Sequence, residues 1–245
     1  MRSLIAVWRL LRMVLHVLWG LLLIKLRFGS LDQAARHARV QRWSGGLLRL
    51  LGVRLACTGR ARPGAKLLLA NHVSWLDIAA VHAVLPEARF VSKADVKHWP
   101  VVGALTAGVG TLFIERASKR DALRVVHQTA EALKAGDTVA VFPEGTTGAG
   151  PELLPFHGNL LQAAIATEIP LQPLVLRWHE PGERFSSAAR YIGDMTLLQS
   201  LWAIASARGL GIAVQILPAM ETAHADRRAL AEHVRGEIAA ALEAG

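Results

Sequence analysis

A histidine and an aspartate five residues apart, His72 and Asp77, stand in the stretch Asn71-His72-Val73-Ser74-Trp75-Leu76-Asp77. A neutral imidazole can take a proton from a hydroxyl. A carboxylate on its other ring nitrogen fixes the tautomer and stabilises the imidazolium that forms. A spacing of five lets the Asp fold back towards the His only if the chain turns between them. The flanking residues predict that turn: the apolar run Lys66–Ala70 reads as a buried strand, and Asp77–Leu85 reads as a helix. The pair would then sit at the carboxyl end of a strand, where open α/β sheets bind ligands. The same letters carry a second reading. Ser74-x-x-Asp77 before an apolar run is a capping box, with Ser74 as N-cap, which leaves Asn71 and His72 as ordinary loop residues.

Further segments hold residues fit for chemistry. Phe142-Pro143-Glu144-Gly145-Thr146-Thr147 follows an apolar run and sets a carboxylate on a tight turn; taken alone, it reads as a simple turn with Glu144 in solvent. Arg116, just past Leu112-Phe113-Ile114, could grip a phosphate or carboxylate bidentately, or form a surface ion pair with Glu115 or Asp121. Ile169-Pro170-Leu171-Gln172-Pro173 reads as an apolar strand entry or an edge strand. Gly103-x-x-x-x-Gly108-x-Gly110 lacks the Lys-Ser/Thr of a phosphate loop, and there is no Gly-x-Ser-x-Gly nucleophile elbow. Cys57 is the only cysteine, so an internal disulfide and a cysteine metal site are excluded, and the ten histidines show no metal-ligand spacing.

The elements that position these residues follow from short apolar runs alternating with helical patterns. Strands are expected at 53–58, 66–70, 89–92, 112–114, 138–142, 171–176 and 212–217. Helices are expected from 77, from a cap at Ser118 to Gly136, at 194–206 and at 226–243. This alternation predicts an α/β fold, a mixed, mostly parallel sheet flanked by helices, over residues 53–245.

Residues 1–52 read differently. Twelve basic residues against one acid up to residue 62 leave that stretch at +11, against +9 for all 245 residues. The basic residues are mixed with Trp8, Trp19, Phe28, Trp43 and many leucines, which favours an anionic lipid surface over nucleic acid. Hydrophobic residues make up 52% of the chain and the mean hydropathy is +0.32, consistent with apolar surface reserved for a membrane or partner. The longest unbroken apolar run, Val17 to Ile24, is well short of the ~20 residues that span a bilayer. Arg9, Arg12 and His16 form one narrow polar stripe, and no small-residue cleavage site follows. Residues 4–28 are therefore expected to lie in the membrane interface as an amphipathic helix; a spanning helix with snorkelling Arg9 and Arg12 is the alternative. A second helix, capped near Ser30-Leu31-Asp32-Gln33, with a weak point at Gly45-Gly46, completes a two-helix membrane-docking segment or, alternatively, a layer covering the sheet.

In order along the chain, Asn71-His72-x-x-x-x-Asp77, Phe113-Ile114-Glu115-Arg116, Phe142-Pro143-Glu144-Gly145-Thr146 and Ile169-Pro170-x-x-Pro173 resemble the lysophospholipid acyltransferase family, whose best-known members are 1-acyl-glycerol-3-phosphate acyltransferases. Lys93-Ala94-Asp95-Val96, Pro100 and Gly103 approximate the family's connecting block. The resemblance implies transfer of a fatty acyl group from acyl-carrier protein or coenzyme A to a lysolipid hydroxyl, without an acyl-enzyme, bound cofactor or metal, at the cytoplasmic face of the inner membrane. It implies His72 as general base oriented by Asp77, and Arg116, Glu144, Gly145, Thr146 and Lys93 as acceptor-binding residues; it assigns no oxyanion stabiliser. The chain departs from the family at two cationic positions. Thr147 stands where an arginine is usual, and His157, in Pro155-Phe156-His157-Gly158-Asn159, where a lysine is usual. The Gly-Thr-Thr form is similar to the branch that acylates lyso-ornithine lipids. Two other classes compete: a non-catalytic lipid- or acyl-carrier-binding module, against which the intact His72/Asp77 pair argues, and a thioester hydrolase, which would need neither Arg116 nor Glu144.

Overall fold

A computed structural model describes residues 2–114 and 119–244; Arg116 and the expected cap at Ser118 lie outside the described residues. Seven strands form one sheet: β1 (Arg54–Thr58), β2 (Lys66–Ala70), β3 (Ala88–Lys93), β4 (Leu112–Ile114), β5 (Thr138–Val141), β6 (Leu171–His179) and β7 (Gly211–Ile216). Their order is β1-β7-β6-β2-β5-β3-β4, parallel throughout except for β6 against β7. Each expected strand is present, and β6 runs three residues further than its apolar run suggested. β2 is central and buried along its whole length, because helices cover both faces. Leu67 and Leu69 point to one face, Leu68 and Ala70 to the other.

The helices are α1 (Arg2–Arg27), α2 (Gln33–Leu50), α3 (Asp77–Val84), α4 (Val102–Gly108), α5 (Lys119–Lys134), α6 (Leu161–Thr167), α7 (Leu197–Ser206) and α8 (Arg227–Ala244). One core lies under α2, α3 and α7, with Leu47, Leu48, Leu51, Val81 and Ile204 against Leu68, Leu174 and Trp178. The other lies under α5, α6 and α8, with Leu133, Leu161, Val234 and Ile238 against Leu67, Leu69 and Val139. Neither α4 nor α6 was expected from the sequence: each is only seven residues, too short to display a helical period. The discounted glycines Gly103 and Gly108 lie in α4.

α2 runs unbroken through Gly45-Gly46, because tertiary contact uses the missing side chain. A Cβ on Gly46 would lie 2.9 Å from the His16 ring, and one on Gly20 would lie 2.4 Å from Trp43 Nε1. Through this close approach, Trp43 Nε1 donates to His16 O at 3.1 Å, and His16 Nε2 lies 2.9 Å from Trp43 O. The N-cap of α2 is Asp32, whose carboxylate accepts from Ala35 N; Ser30 bonds back to Arg27 O instead.

α1 is amphipathic in the opposite sense to a water-facing helix. Arg9 turns inward and donates to Ala205 O and Ala207 O, both at 2.9 Å, satisfying carbonyls at the end of α7. His16 turns inward to Trp43. Leu4, Trp8, Leu11, Leu15, Leu18, Trp19, Leu22 and Leu26 are exposed. So α1 and α2 form a helical layer on the body of the protein, and α1 presents an apolar outer face. α1 is long and apolar enough to cross a membrane by length and composition, but Arg9 and His16 tie its inner flank to the fold.

Candidate active site

β2 ends at Ala70, and the next seven residues are fixed almost atom by atom. The side chain of Asn71 continues the β2–β6 ladder: Nδ2 donates to Leu176 O at 2.9 Å, and Oδ1 accepts from Leu176 N at 2.8 Å. The chain then turns, and Asp77 at the start of α3 reaches back. Its Oδ2 accepts from Val73 N at 2.7 Å and Ser74 N at 2.9 Å, and lies 2.9 Å from His72 Nδ1. The geometry that each reading requires is therefore supplied by one carboxylate: it satisfies the loop amides ahead of α3 and holds the imidazole. Ser74 Oγ, for its part, accepts from Leu76 N rather than from an amide of the first turn.

Asp77 is fully buried, while 17% of the His72 side chain is exposed. A carboxylate at Nδ1 keeps the proton there, so Nε2 carries the lone pair. Nε2 has no hydrogen-bond partner among the described residues. Phe142 stacks flat on the His72 ring, with centroids 3.8 Å apart and an interplanar angle of 6°, and Phe90 stacks behind Phe142. The ring is thus held on one face and one edge, with Nε2 free to meet a substrate proton.

Glu144 is not in solvent, contrary to the simple-turn reading. It is buried on the turn after β5, where Gly145 N bonds Phe142 O and Gly145 takes a φ of 72°, a conformation that favours glycine. Its Oε1 accepts from His72 N at 2.7 Å, and its Oε2 accepts from Leu154 N at 2.9 Å. Burial pushes the Glu144 carboxyl up from its ordinary 4.5, and the amides of Leu154 and His72 partly offset this. Both oxygens are thus spent on backbone, tying the His72 loop to the segment 148–157. Gly148 N donates to His72 O at 2.7 Å, and Arg235 of α8 donates to Leu153 O and Leu154 O from the far side.

Lys93 is exposed at the carboxyl end of β3, and Thr146 is exposed on the turn after Glu144. His72, Gly145 and Lys93 therefore follow or end the adjacent strands β2, β5 and β3 along one edge of the sheet. Arg116 follows β4 in the chain and lies outside the described residues. Thr147, which occupies the usual arginine position, donates its hydroxyl to Tyr191 O, and Tyr191 N donates to Val73 O at 3.0 Å. A segment with no sequence signature is thereby laced to both motif loops. Beside it, the Nε of Arg190 is buried with no acceptor among the described residues.

Three supporting residues were not foreseen. Trp178 Nε1 donates to Asp77 Oδ1 at 2.6 Å, so both oxygens of that carboxylate receive donors. Trp75 Nε1 donates to the buried Ser200 Oγ at 3.1 Å, binding the loop to α7. Phe142 was visible in its motif, but its stacking role was not.

A histidine–aspartate pair with a free ring nitrogen, at the carboxyl end of the central strand of a mostly parallel α/β sheet, is an arrangement chemically able to abstract a proton. Comparison with known proteins gives the family. The Acyltransferase family model matches residues 54–177. The chain is 33% identical over 216 residues to the 1-acyl-sn-glycerol-3-phosphate acyltransferase of Neisseria gonorrhoeae, covering 87% of this chain and 84% of that one. It is also 33% identical over 217 residues to the lyso-ornithine lipid O-acyltransferase of Pseudomonas aeruginosa, covering 88% and 83%. The crystal structure of the 1-acyl-sn-glycerophosphate acyltransferase from Thermotoga maritima shares the fold, with a TM-score of 0.68 at 17% identity over 96% of this chain and 97% of that one. The chain belongs to the acyltransferase family.

Proposed function

We propose that this enzyme transfers a fatty acyl group from a thioester of acyl-carrier protein or coenzyme A to the hydroxyl of a lysolipid, with 1-acyl-sn-glycerol-3-phosphate as the first-ranked acceptor. The reading rests above all on His72: its Nδ1 is held 2.9 Å from a buried carboxylate and its Nε2 is unpartnered. In this mechanism Nε2 takes the proton of the acceptor hydroxyl as its oxygen attacks the thioester carbonyl. The tetrahedral intermediate collapses, the C–S bond breaks, and the imidazolium returns the proton to the leaving thiolate. The products are the acylated lipid and the free thiol carrier. Asp77 stabilises the imidazolium and keeps the tautomer. Lys93, Arg116, Gly145 and Thr146 are proposed to meet the acceptor. Glu144, with both oxygens on backbone amides, is proposed to act by positioning the His72 loop.

The lyso-ornithine acceptor is the second reading, favoured by Thr147: its hydroxyl is engaged with Tyr191 O and brings no cation to the site. The relatives named above carry both activities. Membrane association at the cytoplasmic face of the inner membrane is part of the same proposal, supported by the outward leucines and tryptophans of α1 and the exposed cations Arg2, Arg12, Lys25 and Arg27 beside them.

The test is to incubate the purified protein with labelled acyl-carrier protein or acyl-coenzyme A and a panel of lysolipids, and to identify products by mass. Acyl transfer to one lysolipid class is expected. Release of free fatty acid alone, without acylated lipid, would replace the proposal with thioester hydrolysis.

A further inference from the structure

The exposed apolar surface does not stop at α1. α7 contains no charged residue, yet Leu198 is 74% exposed and Trp202, one turn on, is 44% exposed. Towards the other end of α1, the turn before α4 exposes Trp99 (51%) and Val101. That turn is strained. Val101 has φ 68° and ψ −57°, with Val102 N bonded to Pro100 O at 2.7 Å, the rare form of a three-residue turn, here built around a β-branched residue. A fold that holds a valine in this conformation in order to point it and a tryptophan outward invites a functional explanation.

Both patches adjoin α1. Arg9 of α1 is bonded to the carbonyls at the end of α7, and a Cβ on Gly108 of α4 would meet Ile24 of α1 at 2.6 Å. Residues 9 and 24 are about 22 Å apart along a helix rising 1.5 Å per residue, so α1 lies across the body from α7 to α4. Both patches also adjoin the site. Trp75 of the His72 loop bonds Ser200 of α7, and the Trp99 turn continues the chain past Lys93. Exposed cations accompany them: Lys97 before the turn, and Arg208 just after α7. Apolar side chains rimmed by cations match an anionic bilayer, with apolar residues at the acyl boundary and cations among the headgroups.

We propose that the bilayer contact of this protein extends from α1 onto α7 and the Trp99–Val101 turn, so that an anionic lipid surface meets the protein on both sides of the site. The proposal rests on the membrane reading of α1 and extends it. A lipid acceptor would then reach Nε2 from the bilayer without crossing water.

The test uses the full chain with Cys57→Ser and one new cysteine at a time, Trp8→Cys, Leu198→Cys, Trp99→Cys or Leu123→Cys, each labelled with a polarity-sensitive fluorophore. Leu123 is 71% exposed on α5, across the sheet from α1. Vesicles of phosphatidylglycerol and phosphatidylethanolamine carry a lipid-attached quencher, and iodide serves as the aqueous quencher. Labels at 8, 198 and 99 are expected to be quenched from the lipid and shielded from iodide, and the label at 123 the reverse. Lipid quenching at 8 with iodide access at 198 and 99 would overturn the extended contact and leave α1 docking intact. No lipid quenching at 8 would overturn both. Shielding at 198 and 99 without lipid quenching, together with a dimer in sedimentation, would assign the face to a second copy of the chain and overturn the proposal.

Discussion

The indole N–H of Trp178 donates to Asp77 Oδ1 at 2.6 Å, on the side of the carboxylate away from His72. Asp77 is fully buried and its other oxygen receives three groups, so Trp178 supplies the remaining donor that a buried charge requires. Trp178→Phe keeps an aromatic ring but removes the bond and part of the buried volume. It should cost about 1–3 kcal/mol of stability, the penalty of an unsatisfied buried acceptor. kcat should fall roughly tenfold, equivalent to about 1.4 kcal/mol, with KM nearly unchanged. Urea unfolding and steady-state kinetics read the two effects separately. Unchanged kcat would limit Trp178 to a packing role.

His72→Ala removes the proposed base and should lower the rate by ~10³-fold or more while leaving the fold intact, since the ring is partly exposed and only its Nδ1 is bonded. Asp77→Asn should behave differently. Its NH₂ would face either the loop amides or the Trp178 indole, all of which already donate, so activity and melting temperature should fall together. Circular dichroism melts alongside acyl-transfer assays distinguish the two; activity within tenfold of wild type in His72→Ala would remove the base mechanism.

Glu144 makes a prediction in pH. Burial raises its pKa in the folded state above the ordinary 4.5. The unfolded chain therefore ionises first, and the folded state holds its proton to higher pH. Stability linked to this group is fully present below the unfolded value and is lost as pH rises through the folded one. Glu144→Gln removes the titration. The difference in unfolding free energy, wild type minus variant, should decline across that window and then level off. A flat difference from pH 4 to 7 would contradict the burial effect. The variant's constant offset should also be unfavourable, because an amide NH₂ would face either His72 N or Leu154 N.

The N-terminal helices should separate on truncation. Removing residues 2–27 deletes the apolar face of α1 and should weaken binding to anionic vesicles, leaving only the contact of α7 and the Trp99–Val101 turn. Removing residues 2–51 also takes Leu47, Leu48 and Leu51 from the core and should prevent folding, at about 2–5 kcal/mol per lost leucine. Charge reversal at Arg36, Arg39 and Arg42 should weaken vesicle binding by about 1 kcal/mol per residue near the surface. Flotation and far-ultraviolet circular dichroism measure these outcomes; a folded, soluble 52–245 fragment would show that α2 is dispensable to the core.

Thr147 tests the acceptor. Thr147→Ser keeps the donor to Tyr191 O and should be nearly silent. Thr147→Arg adds a cation and cuts that tie. If the natural acceptor is zwitterionic, the ratio of kcat/KM for lysophosphatidic acid to that for lyso-ornithine lipid should rise in Thr147→Arg. If the natural acceptor bears a phosphate, the ratio should stay level while both values drop with the lost tie. Arg190, with its Nε buried and unpaired beside Tyr191, is then the cation to remove: Arg190→Gln should raise KM for the phosphate acceptor.

The sequence alone determined the parts of the site that are local. His72 and Asp77 meet because five residues across one strand-to-helix turn bring them together, and the turn is written in the apolar run before it and the helix after it. The seven strands were legible for the same reason, since each is a short apolar run bounded by turn residues. Tertiary structure decided what depends on strand order and helix packing. Trp178 reaches Asp77 across 101 residues and Arg9 reaches Ala205 across 196, and nothing in the local pattern encodes either approach. Arg9 and His16 read as part of one narrow polar stripe on an amphipathic helix at the membrane interface. Only packing against α7 and α2 turned them inward and the leucines out. Glu144 read as a solvent turn or an acceptor contact, since a tight turn places a carboxylate without saying what surrounds it. Its two backbone partners, 72 residues before it and 10 after, come together only because β2 and β5 are neighbours in the sheet.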